Sequence, residues 1–398
     1  MQSNSKIGVK IVERLNKVLE RERREVIDMS KQIFANPELG LQETFASSIM
    51  CNYLQSKGFA VDRGVGGLDT SYVASIENGE GGYHVAFCAE YDALPEIGHA
   101  CGHNLIGMAS VTAGVILAEY LKGEGIPFRL SVIGTPDEEG TGGKIDLLNA
   151  GVFQDVDIAM MFHPGMSTEI HVKSLSLHSY EFLFHGKTAH AASEPWEGRN
   201  ALDGVIQTFN AINALRQHVK PDVRIHGIIK DGGLATNIVP ERASAEFCIR
   251  SIDNEYLEQL VVQVQNCAKA AALSTGTELE IKKIGHSYVA MKSNIVLGDV
   301  FKECLDELHY IDPSQYEEGM GSIDMGNVSY VVPSIHPVIS LTNQLVLGHT
   351  IEFAQMCNTD NAYDTMLLAA KAMALTGYKV IKDESLQRRI RSEFEGNT

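Results

Sequence analysis

The sequence predicts an α/β protein: a main domain whose mixed sheet is covered by helices, carrying an inserted ferredoxin-like α+β domain. Three observations predict it. Helical and strand-like periodicities alternate up to about residue 174 and resume from about residue 292. Between these stretches the order strand–helix–strand–strand–helix–strand is the split βαβ unit, and its length of about a hundred residues suffices for a small domain. Three strands of the main part each run into His, Cys, Asp or Glu, as expected where an open α/β sheet builds a site at the carboxyl ends of its strands. The boundaries read 1–174 with 288–398 for the main domain and 175–287 for the insertion.

Ile7 to Phe34 reads as a helix, because Ile11, Leu15, Val18 and Leu19 recur at helical spacing opposite Arg and Glu. Asn36-Pro37-Glu38 breaks it. Phe45 to Lys57 gives a second helix, ended by Gly58. The apolar runs Tyr72–Ile76 and His84–Cys88 read as strands. Leu105 to Leu121, rich in small residues, is a closely packed helix. Phe128 to Gly134 is a buried strand leading to Thr135-Pro136-Asp137-Glu138-Glu139. Ile145 to Ala150 is helical, and Ile158–Phe162 is a strand ending at His163. In the insertion, Ser176–His185, Val223–Ile229, Ala243–Arg250 and Glu278–Ile284 read as strands, with helices at Arg199–Val219 and Glu255–Leu273.

Length and composition narrow the functional classes. At 398 residues the chain exceeds one ordinary core, so two domains are expected. A net charge of -18 with no basic stripe argues against nucleic acid, whose phosphates need clustered Lys and Arg. No apolar stretch is read as reaching the roughly 20 residues of a membrane span, so no membrane partner is expected. The N-terminus has no cationic start followed by an apolar run. Seven cysteines, odd in number and without a spacing framework, read as reduced thiols of a cytoplasmic protein.

The densest chemistry lies in Glu90-Tyr91-Asp92-Ala93-Leu94-Pro95 and His99-Ala100-Cys101-Gly102-His103-Asn104. Two imidazoles, a thiol and carboxylates at such short spacing suit a divalent transition metal. Gly102 permits a turn that aims Cys101 and His103 inward. Alone, Cys101 reads as a buried thiol and His103 as a surface histidine. With His99, Glu139 and His163 near strand ends, they read as a metal-dependent hydrolase site. Glu138 and Glu139 are adjacent, so their side chains diverge, and one can bind metal while the other faces a water. An Asp-Glu-Glu run is usually a solvated turn. A helix start near Gly142-Gly143-Lys144 would instead place these acids at a helix N-terminus. His190 on a Gly- and Ala-rich loop, Asn237 on an exposed loop, Arg250 at a strand end and His349 in Leu347-Gly348-His349-Thr350 carry no local signal that fixes a role.

Together these segments resemble peptidase family M20 of metal-dependent amidohydrolases, in its aminoacylase-like branch. The resemblance spans nearly the whole chain. It rests, in order, on Ala89-Glu90-Tyr91-Asp92-Ala93-Leu94-Pro95, His99-Ala100-Cys101-Gly102-His103-Asn104, Gly134-Thr135-Pro136-Asp137-Glu138-Glu139, His163-Pro164-Gly165, the His190 segment and Gly348-His349-Thr350. The first of these, with Gly321-Ser322-Ile323-Asp324-Met325-Gly326-Asn327-Val328-Ser329, is most similar to the Xaa-Arg dipeptidase and aminobenzoyl-glutamate hydrolase side of the branch. The resemblance implies metal ligands Cys101, His103, Glu139, His163 and His349 around two divalent ions, zinc or manganese, with cobalt or nickel also admitted. It implies Glu138 as general base, His190 reaching the substrate carbonyl from the inserted domain of a partner subunit, and Asn237 and Arg250 holding the substrate's carboxylate end. The inserted domain would serve as lid and dimerisation surface. Where the wider family has His-x-Asp, this chain has Glu90-Tyr91-Asp92. Glu90 is therefore left unassigned, and Asp92 is expected to orient a ligand histidine from behind. Asn104 stands where many members have Asp.

The expected function is hydrolysis of an amide bond in N-acyl amino acids or small dipeptide-like conjugates, through a metal-bridged water, by a homodimer. Arg250 suits a terminal carboxylate because its planar fork can bind both oxygens. Two rival readings are a cysteine hydrolase with Cys101 as nucleophile and a metal-poor, non-catalytic paralogue acting as a binding or scaffold protein. The loop Tyr330–Pro337 is expected to line the acyl pocket, and its apolar content points to a hydrophobic or aromatic moiety.

Overall fold

The computed structural model describes residues 2–317 and 319–396. It divides into two compact units. One comprises Met1–Lys173, Met291–Met320 and Asn327–Thr398; the other comprises Ser174–Ala290 and Gly321–Gly326. The return of Gly321–Gly326 to the second unit differs from the sequence reading. It is pinned there by the Leu175 amide, which donates to the Gly321 carbonyl at 2.7 Å.

The first unit opens with α1 (Gln2–Ala35), which buries Leu15, Val18, Leu19, Val26, Met29 and Ile33. The Ile11 side chain lies outside the described residues. After α2 (Thr44–Ser56) come β1 (Ala60–Arg63), β2 (Tyr72–Asn78) and β3 (Tyr83–Ala89). Then follow α3 (His103–Lys122), β4 (Phe128–Gly134), α4 (Gly143–Asn149), β5 (Ile158–Met160) and β6 (His163–Gly165).

Helix α3 corrects two expectations. It begins at His103, two residues earlier than the periodicity indicated, so the histidine sits on its first turn rather than in a loop. By length and composition it could cross a membrane, contrary to the sequence reading, yet 94% of its apolar window is buried inside the protein. A helix apolar on all sides is what such a central position requires. Its glycines let it lie close to the sheet: a Cβ at Gly114 would come within 2.5 Å of Val132, and one at Gly107 within 2.7 Å of the Glu90 carbonyl oxygen.

The second unit runs β7 (Ser176–His185), α5 (Ala201–Leu215), β8 (Arg224–Asp231), β9 (Arg242–Ser251), α6 (Asn254–Thr275) and β10 (Glu278–Tyr288). This is the predicted split βαβ order. Its antiparallel sheet, β10-β7-β9-β8, packs Phe182, Phe184, Phe247 and Ile249 against buried residues of α5 and α6 such as Val205, Ile212, Leu257 and Val264. Side-chain caps start both helices: Asn200 accepts from the Leu202 amide and Asp253 from the Tyr256 amide.

The first unit resumes with α7 (Ile295–Glu307). A single turn, α8 (Met325–Val328), precedes β11 (Ser334–Ile335) and β12 (Val338–Ser340), and α9 (Ile351–Met356), α10 (Asp360–Lys382) and α11 (Glu384–Phe394) complete the chain. The main sheet has the order β1-β2-β4-β3-β5-β11. Its β4, β3, β5 and β11 run parallel, and β1 and β2 are antiparallel additions at one edge, so the sheet is mixed. The registers Ala89↔Gly134, Phe87↔Met160 and Ile335↔Met160 bring the carboxyl ends of these parallel strands level. The segments following them therefore share one edge, where an open sheet places its site. Ser334 and Ile335 lie in this sheet and Val332–Pro337 is buried; only Tyr330 and Val331 are exposed. That corrects the expectation of a pocket-lining Tyr330–Pro337 loop: most of its apolar content serves the core.

Candidate metal centre

Three loops leave the level strand ends and converge. The chain after β3 supplies Glu90 and Asp92, then turns through Gly102 into α3. Gly102 caps this helix with φ of 80°, in the left-handed region. A side chain there would also strike Pro164, 2.5 Å from the added Cβ. Glycine is thus required, and Cys101 and His103 are set on either side of a tight turn. The chain after β4 supplies Asp137, Glu138 and Glu139, and β6 begins at His163. His349 arrives from far along the sequence, its loop tied to the Cys101 segment by the His349 amide, which donates to the Ala100 carbonyl at 3.0 Å. Its φ of 58° is unusual for a residue with a Cβ.

Two overlapping donor groups share Cys101: Cys101 with His103 and His163, and Cys101 with Glu139 and His349. Within each group the donor atoms lie within 4.8 Å of one another. Cys101 Sγ is 3.3 Å from His163 Nε2, and His349 Nε2 is 3.2 Å from Glu139 Oε1. A third group joins His103, Glu138 and Glu139. The five side chains named as ligands from the resemblance thus lie together, with Glu138 beside them.

The two imidazoles nearest Cys101 are oriented from behind. Nδ1 of His103 donates to the Asp92 carboxylate at 3.0 Å and to the Asp92 carbonyl at 2.9 Å. Nδ1 of His163 donates to the Pro164 carbonyl at 2.7 Å. A carbonyl oxygen only accepts, so the Nδ1–H tautomer is set and Nε2 turns toward the shared space. The other Asp92 oxygen accepts from the Glu139 amide at 3.0 Å, so one carboxylate fixes two of the converging residues. Nε2 of His103 is buried and makes no hydrogen bond. An orphaned, inward-facing imidazole nitrogen among a thiol and carboxylates fits a cation, and thiol, imidazole and carboxylate together are a transition-metal donor set.

Electrostatics agree. Burial opposes the charged form of His103, but Asp92, with Glu90 and Glu139, raises its pKa well above the ordinary value. Burial, then the charges of Glu139 and Glu138, push the Cys101 thiol well up. A free thiolate nucleophile is disfavoured in that setting, and a thiolate there calls for a cation. Burial tends to raise Glu139, but the His349 hydrogen bond and the charge of His103 bring it below the usual carboxylate value.

The Asp-Glu-Glu segment is not a solvated turn, and the helix expected near Gly142-Gly143-Lys144 does start there. Helix α4 begins at Gly143, so Glu138 and Glu139 precede it. Asp137, at a φ of 60°, is held by its own neighbours: its carboxylate accepts from the Thr141 amide at 2.9 Å and its carbonyl from the Gly142 amide at 2.9 Å. Glu43, absent from the sequence reading, completes the clamp. Its Oε1 accepts from the Asp137 amide at 3.0 Å and its Oε2 from the Thr70 hydroxyl at 2.7 Å.

Burial pushes the pKa of Glu43 from 4.5 up to about 7 against the hydrogen bond from Thr70. Between these values the folded chain keeps a proton that the unfolded chain has lost. The stabilisation is full below 4.5 and is lost as pH rises through about 7. Glu43→Gln mimics the protonated form. Urea unfolding of both proteins at pH 5 and pH 8 is expected to show the variant spared a loss of about 2–3 kcal/mol between the two pH values. Equal losses would assign the pH dependence elsewhere.

Other residues fall differently. His99 is not among the donor groups found in the described residues. Its Nε2 lies 3.2 Å from the Ile33 carbonyl under α1, and burial lowers its pKa to about 4, so it is a core histidine. Asn104 is spent on packing: its amide donates to the Ser30 hydroxyl and the Cys357 carbonyl, both at 3.2 Å. His336, which the sequence reading missed, follows β11 and is buried, with its ring 5.5 Å from that of His163. Burial and the charge of His163 lower its pKa to about 3. Its signal was similar to that of His163, a histidine closing a short, mainly apolar run.

In the second unit, His190 is exposed and pairs by backbone with Ile238, and the Ala191 amide donates to the Asn237 carbonyl at 3.0 Å. The loops carrying His190 and Asn237 are therefore adjacent. His190 Nδ1 accepts from the amides of Ala192 and Ser193, each at 3.2 Å, which leaves its Nε2 outward. Arg250 lies on β9, half-buried, with Nη1 donating to the Ser322 hydroxyl at 3.2 Å and Nε buried without a partner.

Residues 171–276 match the model of the M20 peptidase dimerisation domain. The chain is 35% identical over 380 residues to Xaa-Arg dipeptidase of Mus musculus, covering 92% of this chain and 88% of that protein. It is 27% identical over 457 residues to a p-aminobenzoyl-glutamate hydrolase polypeptide of Escherichia coli (strain K12), covering 96% and 94%. The fold matches a dinuclear metal-binding peptidase of the M20 family from Bacillus subtilis, with a TM-score of 0.69 and 19% identity over 91% of this chain and 99% of that one. It also matches an aminobenzoyl-glutamate utilization protein from Klebsiella pneumoniae, with a TM-score of 0.71 and 18% identity over 92% and 98%. The chain thus belongs to the M20 peptidase family and is a hydrolytic enzyme acting on amide bonds.

Proposed function

We propose that the protein hydrolyses the amide bond of an N-acyl amino acid or small dipeptide-like conjugate at a centre holding two divalent ions. The observation that carries this is the convergence of Cys101, His103, Glu139, His163 and His349 in two donor groups sharing one thiol, with His103 Nε2 buried and unbonded. The name of the Bacillus subtilis neighbour supports a paired centre. A thiolate with imidazoles suits zinc; the carboxylate also admits manganese, cobalt or nickel.

Bound divalent ions would lower the pKa of a water and polarise the scissile carbonyl. The chain's own residues do the rest. Glu138, nearly buried and beside Glu139, takes the proton of the attacking water and passes it to the leaving amine. His190, supplied by a partner subunit, donates from its outward Nε2 to the developing oxyanion. Asn237 and Arg250 hold a terminal carboxylate, to which the unpaired Arg250 Nε is suited. The relatives' names, a dipeptidase and an aminobenzoyl-glutamate hydrolase, support an amino-acid conjugate as substrate. The match to a dimerisation domain supports a homodimer built through the inserted unit.

Chelation is expected to abolish turnover of N-acyl amino acids, β-alanyl and aminobenzoyl conjugates, and zinc, manganese, cobalt or nickel to restore it. Full activity in a protein shown to be metal-free would sink the reading.

A further inference from the structure

Glu90 and Lys144 are withdrawn from solvent, with side-chain exposures of 2% and 0%. Lys144 Nζ pairs with Glu90 Oε1. The backbone makes this pairing possible. A Cβ at Gly143 would stand 2.0 Å from the Pro136 carbonyl oxygen, so α4 starts hard against the segment leading to Asp137-Glu138-Glu139. Lys144, the next residue, is thereby carried inward instead of into water. Glu90 reaches the same place from the end of β3.

The other Glu90 oxygen, Oε2, lies 3.6 Å from His103 Nε2, the orphaned nitrogen that faces the proposed ions. A free carboxylate at that distance from a ligating nitrogen is placed to become a further ligand. Lys144 opposes this by holding Oε1 and neutralising the charge.

We propose that Lys144 is a positioning residue that locks Glu90 as a non-ligating counter-charge, and so confines coordination to Cys101, His103, Glu139, His163 and His349. This rests on the metal reading above. The lock predicts that removing Lys144 turns Glu90 into a ligand, whereas neutralising Glu90 costs no ion.

The test compares metal content and the visible absorption of the cobalt-loaded, full-length protein. Wild type, Glu90→Gln, Lys144→Met and the double variant are compared. Glu90→Gln is expected to keep two ions per chain and the wild-type spectrum. Lys144→Met is expected to bind cobalt about tenfold more tightly and absorb more weakly as the coordination number rises. Adding Glu90→Gln to Lys144→Met is expected to restore the wild-type spectrum. Loss of an ion or a shifted spectrum in Glu90→Gln overturns the lock, as does an unchanged spectrum in Lys144→Met. Should Lys144→Met fail to fold, the nearly isosteric Glu90→Gln decides: one ion overturns the proposal and two support it. A wild-type protein that binds no ion overturns the metal reading itself, whereas two ions in wild type and one in Glu90→Gln overturn only the lock.

Discussion

Glu138→Gln is expected to lower kcat by roughly 10²–10⁴-fold, the range that a general acid–base group contributes, while both ions stay bound. The glutamine keeps the shape of the side chain and removes only its capacity to take a proton. Metal retention follows from the division of labour between neighbours. Glu139 is held by the Asp92 carboxylate through its amide and faces His349 at 3.2 Å. Glu138 points from the adjacent backbone position and enters neither of the two groups that share Cys101. KM should change little, since the carboxyl is asked to act on the proton and not on the substrate's ends. Near wild-type turnover of a fully metal-loaded Glu138→Gln protein would remove it as the base.

The second large effect concerns Cys101. Cys101→Ala is expected to weaken the binding of both ions by more than the roughly 10–100-fold that loss of an outer partner costs, and to abolish turnover with it. Its thiol alone is common to the two donor groups, whereas His163 belongs to one and His349 to the other. His349→Ala should therefore cost one ion and Cys101→Ala two. Metal analysis after dialysis against a competing chelator reads this directly. A Cys101→Ala protein that retained two ions would show that the thiol is a bystander. The environment of Cys101 also separates this outcome from a cysteine mechanism, because burial and the adjacent Glu139 and Glu138 hold the free thiol protonated.

Much of the architecture could be read from the chain. The alternating helices and strands, the β-α-β-β-α-β insertion and the three strands that run into Glu90, Asp137 and His163 all rest on local periodicity, and the elements read individually up to residue 284 lie within a few residues of their expected places. The departures have physical causes. His103 joined the helix because Gly102 supplies the left-handed turn that lets α3 start there. The strand around Ser334 was read as a pocket-lining loop because two residues of β11 are too few to show a period. His99 was drawn into the cluster by spacing alone, yet its ring turns back toward Ile33.

The sequence by itself determined which side chains were available for the chemistry. Close spacing of His, Cys, Asp and Glu after apolar runs is a local property, and it nominated Cys101, His103, Glu138, Glu139 and His163. The tertiary structure alone decided which of them meet, and who stands behind them. His349 joins Cys101 across some 250 positions because its amide is tied to the Ala100 carbonyl. Nothing local in the sequence marks Glu43, and Lys144 figures there only in the expected helix start at Gly142-Gly143-Lys144. Burial changes both, since the cost of desolvating a charge depends on the chains packed around it and not on its neighbours in sequence.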